Sequence, residues 1–345
     1  LKQKMMDIRY FFFRIFTKFK YYTNNFISFI FTLIFIIPAL FLRFIKYFIH
    51  IRIGCIRNDV MGNSIFNVEY YLCKKQKASL KTFDIFYFQL NNFVVNKQLI
   101  KMFKKKLIIF FIFRYLDYAS KLLYNSADYK IEPGEGRDKD GTLYYGKENF
   151  KFSEKENEKG SSFLEKIGFD IKKDKFICII VRDKTYKQKT HYHKYADSSH
   201  WNYQDFRNVS LENYYDVCEK LLKKGYWVIR MGKITEVKMN IKNDKFLDYS
   251  NSFYREDFLD IWLMANCFFS ISNCTGLDEV CKMFRKPIVI TDMAYYNVPT
   301  FYAHVLMCFK KLCYKDSKRL IGLRELINNE FIEFDRTEHF EKKGI

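Results

Sequence analysis

Metal-holding motifs are missing from this sequence. Its nine cysteines, at 55, 73, 178, 218, 267, 274, 281, 308 and 313, include no CxxC pair. The even spacing of Cys267, Cys274 and Cys281 puts one on a strand, one on a turn and one on a helix, which is not a metal-ligand pattern. An odd, scattered set fits reduced, buried thiols in a cytosolic setting. Of only six histidines, three (His191, His193 and His200) share one loop, with no acidic or sulfur ligand at a helical spacing. Acid is also scarce. Against 59 Lys plus Arg stand 39 Asp plus Glu, a net charge of +20, which favours anionic partners: nucleic acid, a membrane surface or phosphorylated substrates. Residue usage is the alternative reading of that excess, because Lys, Asn, Ile, Phe and Tyr are all abundant, as an AT-rich coding sequence makes them. No nucleic-acid motif appears, and the basic residues are spread along the chain.

At 345 residues there is room for two domains with real cores. Charge is absent from Tyr21 to Leu42, and Phe26 to Leu42 is almost wholly apolar, long enough to cross a bilayer or lie deep in one leaflet. Lys2, Lys4, Arg9, Arg14, Lys18 and Lys20 precede it, and Arg43, Lys46, Arg52 and Arg57 follow, so the flanks set no orientation. Pro38 predicts a kink. The run lacks a small-residue cleavage site, which argues against a signal peptide. Basic, aromatic flanks suit anchorage at an anionic membrane surface. The chain opens on Leu1 and stops at Ile345 just after EKKG without an obvious terminal element, and reads as a fragment.

The rest alternates strand and helix signals, predicting an α/β chain with two Rossmann-like, doubly wound domains behind the membrane-associating helix. The expected divisions are 1–46 for the basic and apolar segment, 47–150 for a first Rossmann-like domain with its linker, and 151–345 for a second. In the first domain, Phe48–Ile56 reads as a strand and Met61, Gly62 and Asn63 as part of a glycine-bearing loop. A helix is expected over Asn67–Lys75, a strand over Phe83–Leu90, and helices over Asn96–Leu107 and Phe113–Tyr124. The DKDG at Asp138–Gly141 is preceded by no apolar strand and reads as a solvated loop, so no metal is expected.

The second domain carries the candidate site. FICIIV (Phe176–Val181) is the mark of a strand buried on both faces, and it ends in Arg182, Asp183 and Tyr186. Charged residues there face the crevice of a doubly wound sheet. Arg182 can pair bidentately with a phosphate, and Asp183 can orient it or act as a base; a local ion pair capping the strand is the alternative. A polar, aromatic loop from His191 to Asn208 offers Tyr192, Tyr195, Trp201 and Tyr203 for stacking, with Arg207 and Asn208 at its close. Ser210 reads as the N-cap of a helix over Leu211–Lys224. YWVIRM (Tyr226–Met231) is the next strand, with Arg230, Gly232 and Lys233 at its end as phosphate-directed cations and a glycine that lets a ligand approach. Last comes FFSISNCTGLDEVCKMFRKPIVITD (Phe268–Asp292): a strand, a turn of Ser272, Asn273, Cys274, Thr275 and Gly276, a helix over Leu277–Arg285 and another strand. Phosphates are commonly held at such a turn, although an ordinary βαβ unit reads the same way.

Taken together, VRDKTY, FRN, YWVIRMGK, YREDFLD and SNCTGLDEVCKMFRKPIV, preceded by IRIGCIRNDVMGNSIFNVEYYL and NKQLIKMFKK, resemble in order and spacing a bacterial family of glycosyltransferases. These look like two-Rossmann-domain (GT-B) enzymes of surface-polysaccharide assembly, distantly similar to fucosyltransferases and heptosyltransferases. The resemblance runs from about Ile49 to Ile345. It implies that Arg182, Asp183, Tyr186, Arg207, Asn208, Arg230, Gly232 and Lys233 line the crevice, with Asn273, Thr275 and Gly276 at the phosphate end. Arg57, Gly62 and Asn63 would form an acceptor-side loop; the family tends to carry a His where Asn63 stands, which unsettles any base assigned there. The expected activity is metal-independent transfer of a hexosyl, fucosyl or heptosyl group from a nucleotide sugar to a lipid-linked or surface glycan, at the cytoplasmic face of the cell membrane. Asp183 is the candidate base, and Glu279 a partner for the nucleotide ribose. Neither a cofactor nor nucleic acid is expected. The alternative is a non-catalytic, membrane-attached binding protein for anionic polymer or nucleic acid.

Overall fold

The computed structural model describes residues 25–345 apart from 79–81, 90–93, 124, 133, 135–137, 139, 183–184, 187–188, 190–197 and 297–303. Packing divides the chain into two compact units. One is made of Leu1–Ile56, Ala78–Leu90 and Lys106–Pro133, the other of Arg57–Lys77, Asn91–Lys105 and Gly134–Ile345.

The smaller unit holds three parallel strands in the order β1-β2-β3: β1 His50–Ile56, β2 Thr82–Phe88 and β3 Ile108–Ile109. Register between the first two is pinned by an opposed charge pair, Arg52 facing Asp84, whose guanidinium donates to both carboxylate oxygens at 2.9 and 3.0 Å. Gly54 lies opposite Phe86, and a Cβ there would come within 2.4 Å of the Phe86 ring. Only glycine leaves that ring its place. Behind the sheet, Ala39, Leu42, Leu116 and Ala119 of two helices, Ile36–Ile45 and Phe113–Lys121, close a core with Ile53, Ile85 and Tyr87. The first of these continues an apolar helical run, Asn25–Ile45, of mean hydropathy 2.4. It is the one helix among the described residues long and apolar enough to cross a membrane, and little of it is buried. Its pattern breaks at Phe35, three residues before Pro38, because proline has no N–H to offer the preceding turn.

The larger unit is built on a six-stranded, wholly parallel sheet: β4 Phe176–Ile180, β5 Trp227–Met231, β6 Phe246–Leu247, β7 Phe269–Ser272, β8 Ile288–Met293 and β9 Val305–Phe309. Their order is β6-β5-β4-β7-β8-β9, the doubly wound arrangement in which the direction of winding reverses between β4 and β7. Every residue of β4 and β5 is buried, as strands covered on both faces require. Ile177, Ile179, Val228 and Ile271 meet Tyr214, Cys218 and Leu222 on one side. Helix Glu154–Lys166 starts with a capping box, Ser153 and Glu156 each bonding the other's backbone N–H.

Two expectations need correction. The helix after β1 spans Met61–Lys77 rather than starting at Asn67, so Gly62 and Asn63 lie in its first turn, where Ser64 N–H already donates to the Val60 carbonyl. A glycine in a polar stretch reads as loop, yet here it is the small residue a close contact needs. Ser210 makes no side-chain cap; its hydroxyl donates to Glu212, and a 3-10 turn over Leu211–Tyr214 precedes the helix Tyr215–Lys223. Beyond Asp292, β9 and the short helices Leu323–Asn328 and Thr337–Glu341 extend the fold; their half-exposed faces gave no clear periodicity.

Candidate anion site at the winding reversal

Where β4 and β7 part, the larger unit brings together Arg182, just past β4, and the turn that follows β7. The backbone N–H of Arg182 donates to Asn273 Oδ1 at 3.1 Å. Asn273 Nδ2 in turn donates to Thr291 Oγ1 at 3.1 Å and to the Tyr214 hydroxyl, so this side chain ties the ends of β4, β7 and β8. Tyr214 also donates to Asp292 at 3.1 Å.

Two guanidinium groups converge beside this strap. Arg182 Nη2 donates to Gln204 Oε1 at 3.1 Å, and Arg207 Nη1 donates to the same oxygen at 3.3 Å. Arg207 Nη2 reaches the Cys274 carbonyl at 2.8 Å, and its guanidinium stacks 4.9 Å above the Tyr295 ring. Gln204 and Arg207 belong to a 3-10 segment, Ser198–Arg207. Lys310, one residue past β9, holds the end of that segment by donating to the Phe206 and Asn208 carbonyls at 2.9 and 3.0 Å.

Arg182 is 9% exposed, and its buried Nη1 has no hydrogen-bond partner among the described residues. Burial first, and the charge of Arg207 second, push its guanidinium down from 12.5 to about 10; burial also pushes the Lys310 ammonium down. A buried cation with an idle donor beside a second cation is electrostatically unfavourable alone and favourable with an anion between them. Phosphate oxygens meet that demand, and the edge of a doubly wound sheet at its reversal is where such ligands bind.

The other expected site residues have different surroundings. Arg230 is 2% exposed, and its Nη1 donates to the Val237 carbonyl at 2.7 Å and to Asp248 at 3.1 Å. That is an internal ion pair, the alternative to a phosphate-directed cation. Lys233 donates to the Val95 carbonyl at 3.1 Å and lies 3.7 Å from Asp257. A Cβ on Gly232 would meet Ser250 and Thr235 at 3.1 Å. Asn208 donates to Asp205 at 2.9 Å, Glu279 pairs with Lys282 at 2.6 Å, and Arg57 pairs with Asp59. Gly62 and Gly276 face one another: a Cβ on Gly276 would lie 2.8 Å from the Gly62 nitrogen, so both are small for each other's sake. Asn63 sits in the helix just described, and Tyr186 is half-buried in a helical turn. Asp183 lies outside the described residues, as do His191, His193, Tyr192 and Tyr195. Gln204, Tyr214, Asp292, Tyr295 and Lys310 were missed, although an Asp and a Lys at the ends of β8 and β9 carry the same strand-end signal as Arg182.

Thr275 does not present a free N–H. Its amide donates to Asp278 at 2.7 Å and its hydroxyl to the same carboxylate at 3.1 Å, and the helix that follows, Asp278–Met283, has only six residues. Asp278 is 2% exposed, and burial raises its carboxyl from 3.8 to about 6. Because the folded value is the higher one, the fold favours the protonated acid. The contribution is complete below 3.8 and is lost as the pH rises through about 6, a cost of ~3 kcal/mol at ~1.4 kcal/mol per unit. The melting temperature of the parent chain is therefore expected to fall across that window more than that of Asp278→Asn; parallel curves would refute it.

Among the described residues, no three His, Cys, Asp or Glu side chains are gathered as a metal site needs. No family model and no curated protein matches the chain. Among solved structures it is similar to a glycosyl transferase family 9 protein from Veillonella parvula, at TM-score 0.48 and 9% identity over 75% of this chain and 86% of that one. It is also similar to E. coli ADP-heptose LPS heptosyltransferase II, at TM-score 0.41 and 11% identity over 82% and 98%. A third is E. coli heptosyltransferase WaaC with ADP, at 0.34 and 11% over 85% and 99%. At such scores the likeness decides neither fold nor activity, and the chain's own residues carry the reading that follows.

Proposed function

We propose that the chain is a glycosyltransferase of GT-B type that takes a sugar from a nucleotide donor, with the donor's diphosphate between Arg182 and Arg207. The observation that carries this reading is the buried Nη1 of Arg182, without a partner among the described residues, at the winding reversal of the large sheet. Two cations at the departing diphosphate stabilise charge that builds up in the transition state, a role a metal fills elsewhere. Asp183, next to Arg182 in sequence, is the proposed general base. The acceptor would be a lipid-linked or surface glycan, reached from the cytoplasmic face of the membrane with the apolar helix Asn25–Ile45 as anchor. Its outward side chains support that, Ile37 and Phe44 being 76% and 70% exposed. Nine free thiols accord with a reducing compartment.

A thermal-shift screen of the full chain against GDP-, UDP-, ADP- and CMP-sugars tests the reading. One nucleotide class is expected to raise the melting temperature, since a ligand at a hundred times its Kd adds about 2.7 kcal/mol. Indifference to all four, with strongly salt-dependent binding of anionic polymer, would favour the non-catalytic alternative instead.

A further inference from the structure

The apolar surface of the smaller unit does not end with its helix. Between β3 and helix Phe113–Lys121, the turn Phe110-Phe111-Ile112 puts three consecutive apolar side chains outward, 59%, 68% and 36% exposed. Soluble surfaces rarely set such side chains in a row without a use for them. The turn is also dry-ready. Phe110 N–H donates to the Phe86 carbonyl, and the carbonyls of Phe110, Phe111 and Ile112 accept from Phe113, Arg114 and Tyr115. Most of its backbone would thus enter hydrocarbon already paired.

Position makes the turn continuous with the anchor. Phe31 stacks on Tyr115 with ring centroids 5.0 Å apart, and Arg43 Nη2 donates to the Ser120 carbonyl at 3.1 Å. Residues 31 to 43 and 115 to 120 therefore run in the same direction. Phe110–Ile112, preceding Tyr115, lies toward the apolar Phe26–Phe31 end of the anchor and away from its basic end at Arg43 and Lys46. Exposed Lys106 lies four residues before the turn, ahead of β3, and is suited to anionic headgroups.

From this we infer that Phe110-Phe111-Ile112 is a second membrane-inserting element, a wedge entering an anionic bilayer beside the helix Asn25–Ile45 and fixing how the smaller unit meets the lipid. The inference rests on the membrane reading of that helix. Its test is the full chain carrying Phe111→Trp, or Phe110→Trp as a second variant, in phosphatidylglycerol-containing vesicles with and without brominated acyl chains. Both substitutions are at exposed positions, and the parent's own tryptophans (201, 227 and 262) all lie in the larger unit and give the baseline. The expected result is a blue shift and loss of most of the added emission in brominated vesicles. Added emission that stays unquenched while the chain still sediments with vesicles overturns the wedge. A parent chain that fails to sediment overturns both the wedge and the membrane reading, and leaves the donor site to the nucleotide screen.

Discussion

Arg182→Met is expected to weaken binding of the nucleoside diphosphate part of the donor by roughly 10- to 100-fold, and Arg207→Met to do nearly as much. A hydrogen bond to a charged group contributes ~1.5–3 kcal/mol, and each ~1.4 kcal/mol is a factor of ten. Arg182 should sit at the upper end, because its Nη1 has no partner among the described residues, whereas Arg207 keeps bonds to Gln204 and the Cys274 carbonyl. Arg182→Lys keeps the charge without the planar fork and should recover only part of the loss. Calorimetric titration of the parent and the variants with the nucleotide that the thermal screen selects gives the comparison. With its guanidinium held at about 10, Arg182 stays cationic through neutral pH. The affinity should be flat there and fade only as the pH rises toward that value. Undiminished affinity in Arg182→Met would sink the site.

The same titration separates two arginines that look alike in sequence. Each sits at the end of an apolar run, FICIIV before Arg182 and YWVI before Arg230, and both were expected to face the crevice. Strand register divides them. Ile179 is level with Arg230, so Arg230 lies three residues deeper in the sheet than Arg182, under the chain that carries Val237 and Asp248. Register depends on which strands pair, and that is fixed by packing across the sheet rather than by either segment alone. Glycine was ambiguous for a related reason. Gly62 and Gly276 announce a close approach, but a sequence does not say whether a ligand or another backbone is approaching. What was legible followed from strong local signals: the fully apolar strands, the alternation of strand and helix, the basic and apolar leading segment, and Arg182 with Arg207. Lys310 and Tyr295 were not, because β9 is half-exposed and carries only a weak hydrophobic pattern.

Asp248→Ala is expected to destabilise the larger unit by about 3–5 kcal/mol, the usual result of stripping one partner from a buried ion pair. Asp248 is 8% exposed and works for several groups at once. One of its oxygens accepts from Arg230 at 3.1 Å, from the Met239 N–H at 2.8 Å and from Asn251 at 2.9 Å; the other accepts from Ser250 at 2.6 Å. Removing it leaves a guanidinium only 2% exposed with, among the described residues, the Val237 carbonyl as its partner and takes the partner from a buried N–H. Arg230→Met should cost less, about 1–2 kcal/mol, since Asp248 keeps three neutral donors and the new side chain fills much of the space. The double variant should lie closer to Arg230→Met than the sum of the two losses, because each charge is costly only while the other is missing. Denaturant unfolding followed by tryptophan fluorescence, with Trp201, Trp227 and Trp262 all in the larger unit, reads each variant. Near-parental stability in Asp248→Ala would return Arg230 to the list of candidate ligand cations. With the expected loss, the folded fraction of Arg230→Met should still bind nucleotide as the parent does, which assigns Arg230 to holding the sheet and Arg182 to holding the anion.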